Sequence, residues 1–244
     1  EAYTLTINAL AEAGFRVIAV DRIGYGKSSK PILPYSFNMV AANMKALLDE
    51  LGVEKTAIVG HSMGGMAVSR FAMMYPETTT HVVMVNQIGL TDQRQSRPWS
   101  DPFVGGGATT YQSILRGHQR YFPLKWPPAH LEFVRRQYGQ TLGGDWPRLA
   151  QVRRLQGQML YDDPVVYDWQ HIATKALVIG GEEDGLVDDF PTLAYNVANQ
   201  LQNSAIILYP NVGHAPQIEI PDLFHQDLIR FLSSDADEPA STWK

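Results

Sequence analysis

Lys55-Thr56-Ala57-Ile58-Val59-Gly60-His61-Ser62-Met63-Gly64-Gly65 decides the fold. Lys55 to Val59 is a short apolar run suited to a buried strand, and Met63 to Met74 reads as a helix. Between them stands Gly60-His61-Ser62-Met63-Gly64, a G-x-S-x-G pattern placed where a strand ends and a helix begins. So tight a turn holds its central residue in a strained backbone conformation. The glycines two residues before and after Ser62 are expected to let neighbouring backbone pass without Cβ collisions. Ser62 is thereby raised over the carboxyl ends of the strands, at a helix N-terminus whose dipole favours developing negative charge. The competing reading is a chance match in a glycine-containing turn. Strand before, helix after and a further glycine at Gly65 weigh against it.

Upstream, Thr4 to Ala13 reads as an amphipathic helix ended by Gly14, and Phe15 to Val20 as a strand. Asp21 to Lys30 is a loop, and Ser36 caps a helix over Phe37 to Leu51 closed by Gly52. Downstream, His81 to Val85 is a strand. After a long interval, Ala176 to Ile179 and Ala205 to Tyr209 are strands, with helices over Pro191 to Leu201 and Asp222 to Leu232. Short apolar strands alternating with helices indicate a mostly parallel sheet covered on both faces, an α/β fold. The tail from Ser233 to Lys244 is expected to fray.

The rhythm breaks between Thr91 and Ala173. That stretch has polar turns, Gly105-Gly106-Gly107, helices over Tyr111 to Tyr121 and Pro128 to Tyr138, and four of the five tryptophans. It reads as a helical cap, 91–173, inserted in a core formed by 1–90 and 174–244. Its aromatic residues fill a small core of their own or line an apolar pocket, and Gly105 to Gly107 reads as a hinge or loop.

A serine hydroxyl is a weak nucleophile and needs a base that is itself oriented by an acid. The motif's fold orders these as serine, acid, histidine, each later partner lying at the carboxyl end of a later strand. Of seven histidines, His214 alone has that order and placement, in Val212-Gly213-His214-Ala215-Pro216 after the last strand. The strand Ala176 to Ile179 leads into Gly181-Glu182-Glu183-Asp184, which offers three carboxylates. Asp184 is favoured by motif position; Glu182 and Glu183 remain as bystanders or hydrogen-bond partners, and Asp92 is a further candidate.

Composition sets the outer bounds. The 244 residues carry a net charge of -5, 45% hydrophobic and 18% charged residues, and no cysteine. A protein of this balance presents no basic surface for nucleic acid, and lacks both thiol chemistry and disulfides. No run of eighteen apolar residues spans a membrane. Compartment and oligomeric state stay open. Gly24-Tyr25-Gly26-Lys27-Ser28 fits neither a P-loop nor a dinucleotide fingerprint, since Ser29 stands where a third glycine is required.

Taken together, Phe15-Arg16-Val17-Ile18-Ala19-Val20-Asp21-Arg22-Ile23-Gly24-Tyr25-Gly26-Lys27-Ser28-Ser29, Gly60 to Gly65, Gly181 to Asp184 and Val212 to His214 resemble the α/β-hydrolase superfamily, in its capped serine esterase and hydrolase group. The resemblance implies the α/β-hydrolase fold with a helical cap after the sixth strand of the family's sheet. It also implies Ser62 as nucleophile, Asp184 as acid, His214 as base, the Met63 N–H as one oxyanion donor, and no metal or organic cofactor. Related dehalogenases and epoxide hydrolases carry Asp at the Ser62 position, so serine points to acyl transfer to water. Family members have further strands and a His-Gly oxyanion loop before the opening helix. Roughly 40–70 residues are therefore expected upstream of Glu1.

The expected activity is hydrolysis of a carboxylic ester of a small or medium apolar acyl group, a small-molecule substrate. Amide or carbon–carbon hydrolysis and cofactor-free peroxidase chemistry are alternatives on the same triad. A non-catalytic ligand-binding member of the fold is the alternative from another class.

Overall fold

The computed structural model describes residues 3–101 and 109–240. Gly105 to Gly107 and the end of the tail lie outside them. In chain order the helices and strands are α1 (Thr4–Glu12), α2 (Phe37–Glu50), β1 (Thr56–His61), α3 (Met63–Met74), β2 (Thr79–Val85), α4 (Tyr111–Gln119), α5 (Leu131–Thr141), α6 (Trp146–Asp162), β3 (Lys175–Gly181), α7 (Phe190–Gln200), β4 (Ser204–Tyr209), α8 (Pro216–Glu219) and α9 (Pro221–Leu232).

The β-branched runs pair as one parallel sheet in the order β1-β2-β3-β4. The register slips once, between Thr56 and Ile58 of β1, and is regular toward the carboxyl ends, where His61 faces Val85, Val85 faces Ile179, and Ile179 faces Ile207. The loops after all four strands therefore open at one edge, where ligands bind in folds of this kind.

The two-residue alternation of side chains makes β2 and β3 serve two cores. Val82, Met84 and Val178 meet Phe37 of α2, Met66 and Phe71 of α3 and Phe190 of α7 on one face. Val83, Val85, Leu177 and Ile179 meet Leu10 of α1 and Phe224, Leu228 and Phe231 of α9 on the other. Both faces are thus covered, which explains why these strands read as unbroken apolar runs. Ser36 caps α2 as expected, accepting from the Met39 N–H at 3.1 Å.

The segment between β2 and β3 contributes Val152 and Met159 of α6, and Trp169, to the first core. A buried ion pair ties it down: Arg70 of α3 donates to Asp168 at 2.6 Å and to Asp163 at 3.0 Å. Breaking such a pair leaves an uncompensated buried charge, so the contact fixes this segment over α3.

Three expectations change. Phe15 to Val20 forms no ladder with any described strand, although Phe15 and Val17 reach one core and Ile18 the other. Its side chains alternate as in a strand, but strand structure needs a hydrogen-bonding neighbour. Helix α6 escaped the sequence because arginines and glutamines crowd it, and its buried stripe is only Val152, Gln156 and Met159. The tail is not frayed as far as Ala240, which is buried and donates its N–H to Asn203 Oδ1 at 2.6 Å.

Candidate functional site

The site is built from the strand ends inward. Ser62 sits between β1 and α3 at φ 57° and ψ -122°, a left-handed strained backbone for a residue with a Cβ. Its N–H donates to Val85 O at 2.9 Å, and its carbonyl accepts from the Gly65 N–H at 2.9 Å. Two glycines make the turn sterically possible. A Cβ on Gly60 would lie 2.2 Å from the Gly64 carbonyl oxygen, and one on Gly65 would lie 2.6 Å from the Gln87 Cβ. Gly64 is different from what the motif suggested, because a Cβ there meets nothing within 4 Å. Close approach at this turn falls on Gly60 and Gly65.

Met63 opens α3, so its N–H belongs to the first helical turn and has no partner within the helix. Arg22 Nη2 donates to the Met63 sulfur at 2.9 Å, and the Arg22 guanidinium lies over the Tyr25 ring at 4.1 Å. The Asp21 to Lys30 loop therefore borders the residue next to Ser62.

On the far side, Asp184 and His214 come together. His214 Nδ1 and Asp184 Oδ2 are 2.6 Å apart, and both side chains are fully buried. Asp184 also accepts from the N–H groups of Leu186 at 2.8 Å and Val187 at 3.2 Å, and from Asn86 Nδ2 at 2.9 Å. Burial pushes the Asp184 carboxyl up, but the His214 hydrogen bond and charge and these donors outweigh it and hold the carboxyl below its ordinary range. Ionised Asp184 fixes the imidazole with Nδ1 protonated. That leaves Nε2, which is buried and bonds to no described residue, with its lone pair available.

His61 links Ser62 to this pair. Its ring packs on the His214 ring at 4.7 Å between centroids, and its Nε2 donates to His214 O at 2.7 Å. Burial, with His214 beside it, pushes the His61 pKa down to about 3, so the ring is neutral at ordinary pH. The structure thus sets Ser62 beside the Asp184–His214 pair without a hydrogen bond between the Ser62 hydroxyl and Nε2. Such bonds are often long in unliganded sites.

Three residues of this site escaped the sequence. Asn86, at φ 36°, ends β2 and brackets Gly181 by accepting from its N–H at 3.0 Å and donating to its carbonyl at 3.2 Å, besides holding Asp184. Tyr121 O, from the segment between β2 and β3, accepts from the His214 N–H at 2.9 Å, and its ring meets the imidazole edge-on at 4.9 Å. Glu219 accepts from the N–H groups of Gly213 and Ala215 at 3.0 and 3.1 Å. Only position after a strand end could have flagged Asn86; the other two are matters of tertiary contact.

The remaining carboxylates lie apart. Asp92 is held by Arg94 at 2.8 and 2.9 Å and by the Tyr167 hydroxyl at 2.9 Å, which keeps its pKa at about 2. Glu182 and Glu183 join the loop through their backbone N–H groups, which donate to Tyr209 O and Val212 O. His118 and His130 pair with each other at 2.9 Å, and His225 pairs with Thr6 at 3.0 Å. Among the described residues no group of three His, Asp or Glu side chains converges as metal ligands, and no described helix is long and apolar enough to cross a membrane.

A cavity of about 230 Å³ lies behind Ile88; Ser62, Asp184 and His214 do not line it, and Ile88 is its link to the Ser62 turn. Met66, Ile88, Gly89, Trp99, Leu160 and Tyr161 line it, and the Ile88 N–H points to Ser62 O at 3.4 Å. Arg97 and Gln93, hydrogen-bonded to each other, form part of its rim.

Known proteins agree with this geometry at the level of fold. The family model for the alpha/beta hydrolase fold matches residues 2–221. A 2-hydroxy-6-oxononadienedioate/2-hydroxy-6-oxononatrienedioate hydrolase of Comamonas testosteroni is 37% identical over 252 residues, covering 95% of this chain and 82% of that protein. A putative carbamate hydrolase of Stutzerimonas stutzeri is 24% identical over 234 residues, covering 93% and 85%. The crystal structure of a probable hydrolytic enzyme from Pseudomonas aeruginosa superposes with a TM-score of 0.88 at 33% identity, over 95% of this chain and 81% of that one. With the strand–turn–helix at Ser62, the parallel sheet and this match over most of its length, the chain belongs to the α/β-hydrolase family.

Proposed function

We propose that the protein is a serine hydrolase that cleaves a carboxylic ester of a small or medium apolar acyl group. Ser62 is the nucleophile, His214 the general base and Asp184 the acid that orients it. The observation that carries this reading is the buried 2.6 Å contact between Asp184 and His214 Nδ1 beside the strained turn at Ser62. His214 Nε2 takes the Ser62 proton as Oγ attacks the acyl carbonyl, and the imidazolium is stabilised by Asp184. The tetrahedral oxyanion is met by the Met63 N–H at the start of α3. The imidazolium returns its proton to the leaving alcohol, leaving an acyl-Ser62. Water, deprotonated by His214, then attacks the acyl carbon; the acid leaves and Ser62 recovers its proton.

The cavity that Ile88 joins to the Ser62 turn supports an acyl group of modest size, since about 230 Å³ walled by Met66, Ile88, Trp99 and Leu160 accommodates a short apolar chain. Residues 91–173 act as a cap, supplying Trp99, Leu160 and Tyr161 to this cavity and Tyr121 to His214. A second reading, hydrolysis of a carbon–carbon bond on the same triad, is favoured by the 37% identical relative from Comamonas testosteroni.

The test is a panel of chromogenic esters of rising acyl length, with a 2-hydroxy-6-oxodienoate in parallel and Ser62→Ala as control. Turnover that peaks at short to medium acyl chains and vanishes in Ser62→Ala is expected. A panel flat at the Ser62→Ala background, with the dienoate consumed, would replace ester by carbon–carbon hydrolysis.

A further inference from the structure

The peptide that carries His214 is gripped with unusual completeness. Three successive N–H groups, those of Gly213, His214 and Ala215, donate to Glu219 Oε2, Tyr121 O and Glu219 Oε1 at 3.0, 2.9 and 3.1 Å. The His214 carbonyl accepts from His61. One carboxylate therefore takes the two donors on either side of the histidine. It reaches them because α8 is a single turn, which returns the chain from Ala215 to Glu219, whose own N–H donates to Ala215 O at 3.0 Å.

Glu219 is half-buried, and both of its carboxylate oxygens are taken up by these backbone donors. Asn and Gln cannot do the same job, since each has one acceptor oxygen where Glu219 uses two. Burial holds the Glu219 carboxyl above its ordinary range, with the Asp184 charge adding to this, and the two N–H donors and the nearby His214 offset it only in part. The other groups facing His214 are Asp184 on Nδ1, and the rings of His61 and Tyr121. His61 is neutral, and burial pushes the Tyr121 hydroxyl up, so it stays neutral as well. Among these groups, the negative charges that favour the imidazolium belong to Asp184 and Glu219.

We propose that Glu219 is a positioning residue for His214: its carboxylate clamps the peptides on both sides of the imidazole and adds a second negative charge that supports the proton the imidazole takes up. This rests on the reading of His214 as the base. Asp184 sets the ring's tautomer by direct contact, and Glu219 sets where the ring stands.

Glu219→Gln, Glu219→Asp and His214→Ala, each checked by thermal melting, test this with kcat, KM and the pH profile of kcat/KM. Glu219→Gln faces one N–H with its own NH₂ and removes the charge. Its kcat is expected to fall roughly 10- to 100-fold with KM little changed. The acid limb of kcat/KM is expected to move to lower pH, because the charge that favours the protonated imidazole is gone. Glu219→Asp keeps the charge but is one methylene too short to span both donors, so kcat falls while the acid limb stays at the wild-type position. Wild-type kcat and acid limb in folded Glu219→Gln, with only a lowered Tm, would overturn the proposal. Should Glu219→Gln not fold, Glu219→Asp decides alone: unchanged kcat overturns the proposal. His214→Ala separates the two levels. If it keeps its turnover, His214 is not the base; if it loses turnover while the Glu219 variants do not change, only the role of Glu219 falls.

Discussion

Replacing Asp184 by Asn tests the site with almost no change of shape. Asp184 Oδ2 receives His214 Nδ1 and Asn86 Nδ2, and Oδ1 receives the N–H groups of Leu186 and Val187. All four are donors, so an amide NH₂ has no place to go. Set at the Oδ1 position, it opposes two backbone donors, each costing about 1–3 kcal/mol when left unsatisfied. Set at the Oδ2 position, it opposes Asn86 and donates to His214 Nδ1, which drives the imidazole proton to Nε2 and removes the base. A wrong tautomer of this kind costs about 10⁴-fold in kcat in serine proteases, where it is well documented. Asp184→Asn is therefore expected to lose roughly 10³- to 10⁴-fold in kcat on the best ester and to melt at lower temperature. Stopped-flow hydrolysis with melting curves in the same buffer measures both. Activity within tenfold of wild type, at an unchanged Tm, would refute the reasoning, because it would mean that the carboxylate neither fixes the tautomer nor holds the loop.

Other expectations follow from the same geometry. Asp92→Asn should leave kcat/KM within about twofold, since Asp92 is engaged with Arg94 and Tyr167 rather than with His214; a loss comparable to that of Asp184→Asn would identify Asp92 as the acid. Gly60→Ala should abolish folding or activity through its 2.2 Å approach to the Gly64 carbonyl, whereas Gly64→Ala is free of steric conflict and should keep Tm within about 2 °C; similar damage from both would contradict the backbone described. His61 has its folded pKa lowered from 6.5 to about 3. The unfolded chain therefore binds the proton first, and stability is full above about pH 6.5 and declines as pH falls toward 3, by no more than about 1.4 kcal/mol per pH unit. Urea titrations of wild type and His61→Gln between pH 7 and 4 should show a shallower decline in the variant, and parallel slopes would remove His61 from the account.

What the sequence made legible was what local pattern controls. The run into Ser62 and out along α3 combines a buried strand, glycines and a helix within twenty residues. His214 and Asp184 are marked by their places after β4 and β3. Asn86, Tyr121 and Glu219 were not legible, because each acts through a partner distant in the chain or through backbone N–H groups that any sequence carries. Glu219 looks like an ordinary helix carboxylate until α8 is seen to fold it back on Gly213 and Ala215. Helix α6 was hidden by its polar residues, and Phe15 to Val20 shows the converse: strand-like composition fixes which way side chains point, but pairing depends on a neighbour.

The central claim is that Ser62 is a nucleophile activated within this site, and covalent labelling tests it most directly. The protein is treated with a fluorophosphonate, digested, and the modified peptide sequenced by mass spectrometry. The account predicts one phosphonyl group on Ser62, formed at a rate that falls at least 10³-fold in His214→Ala, with loss of hydrolysis in step with labelling. Hydrolysis that persists with Ser62 unmodified, or a label on another residue that tracks the loss of activity, would contradict it.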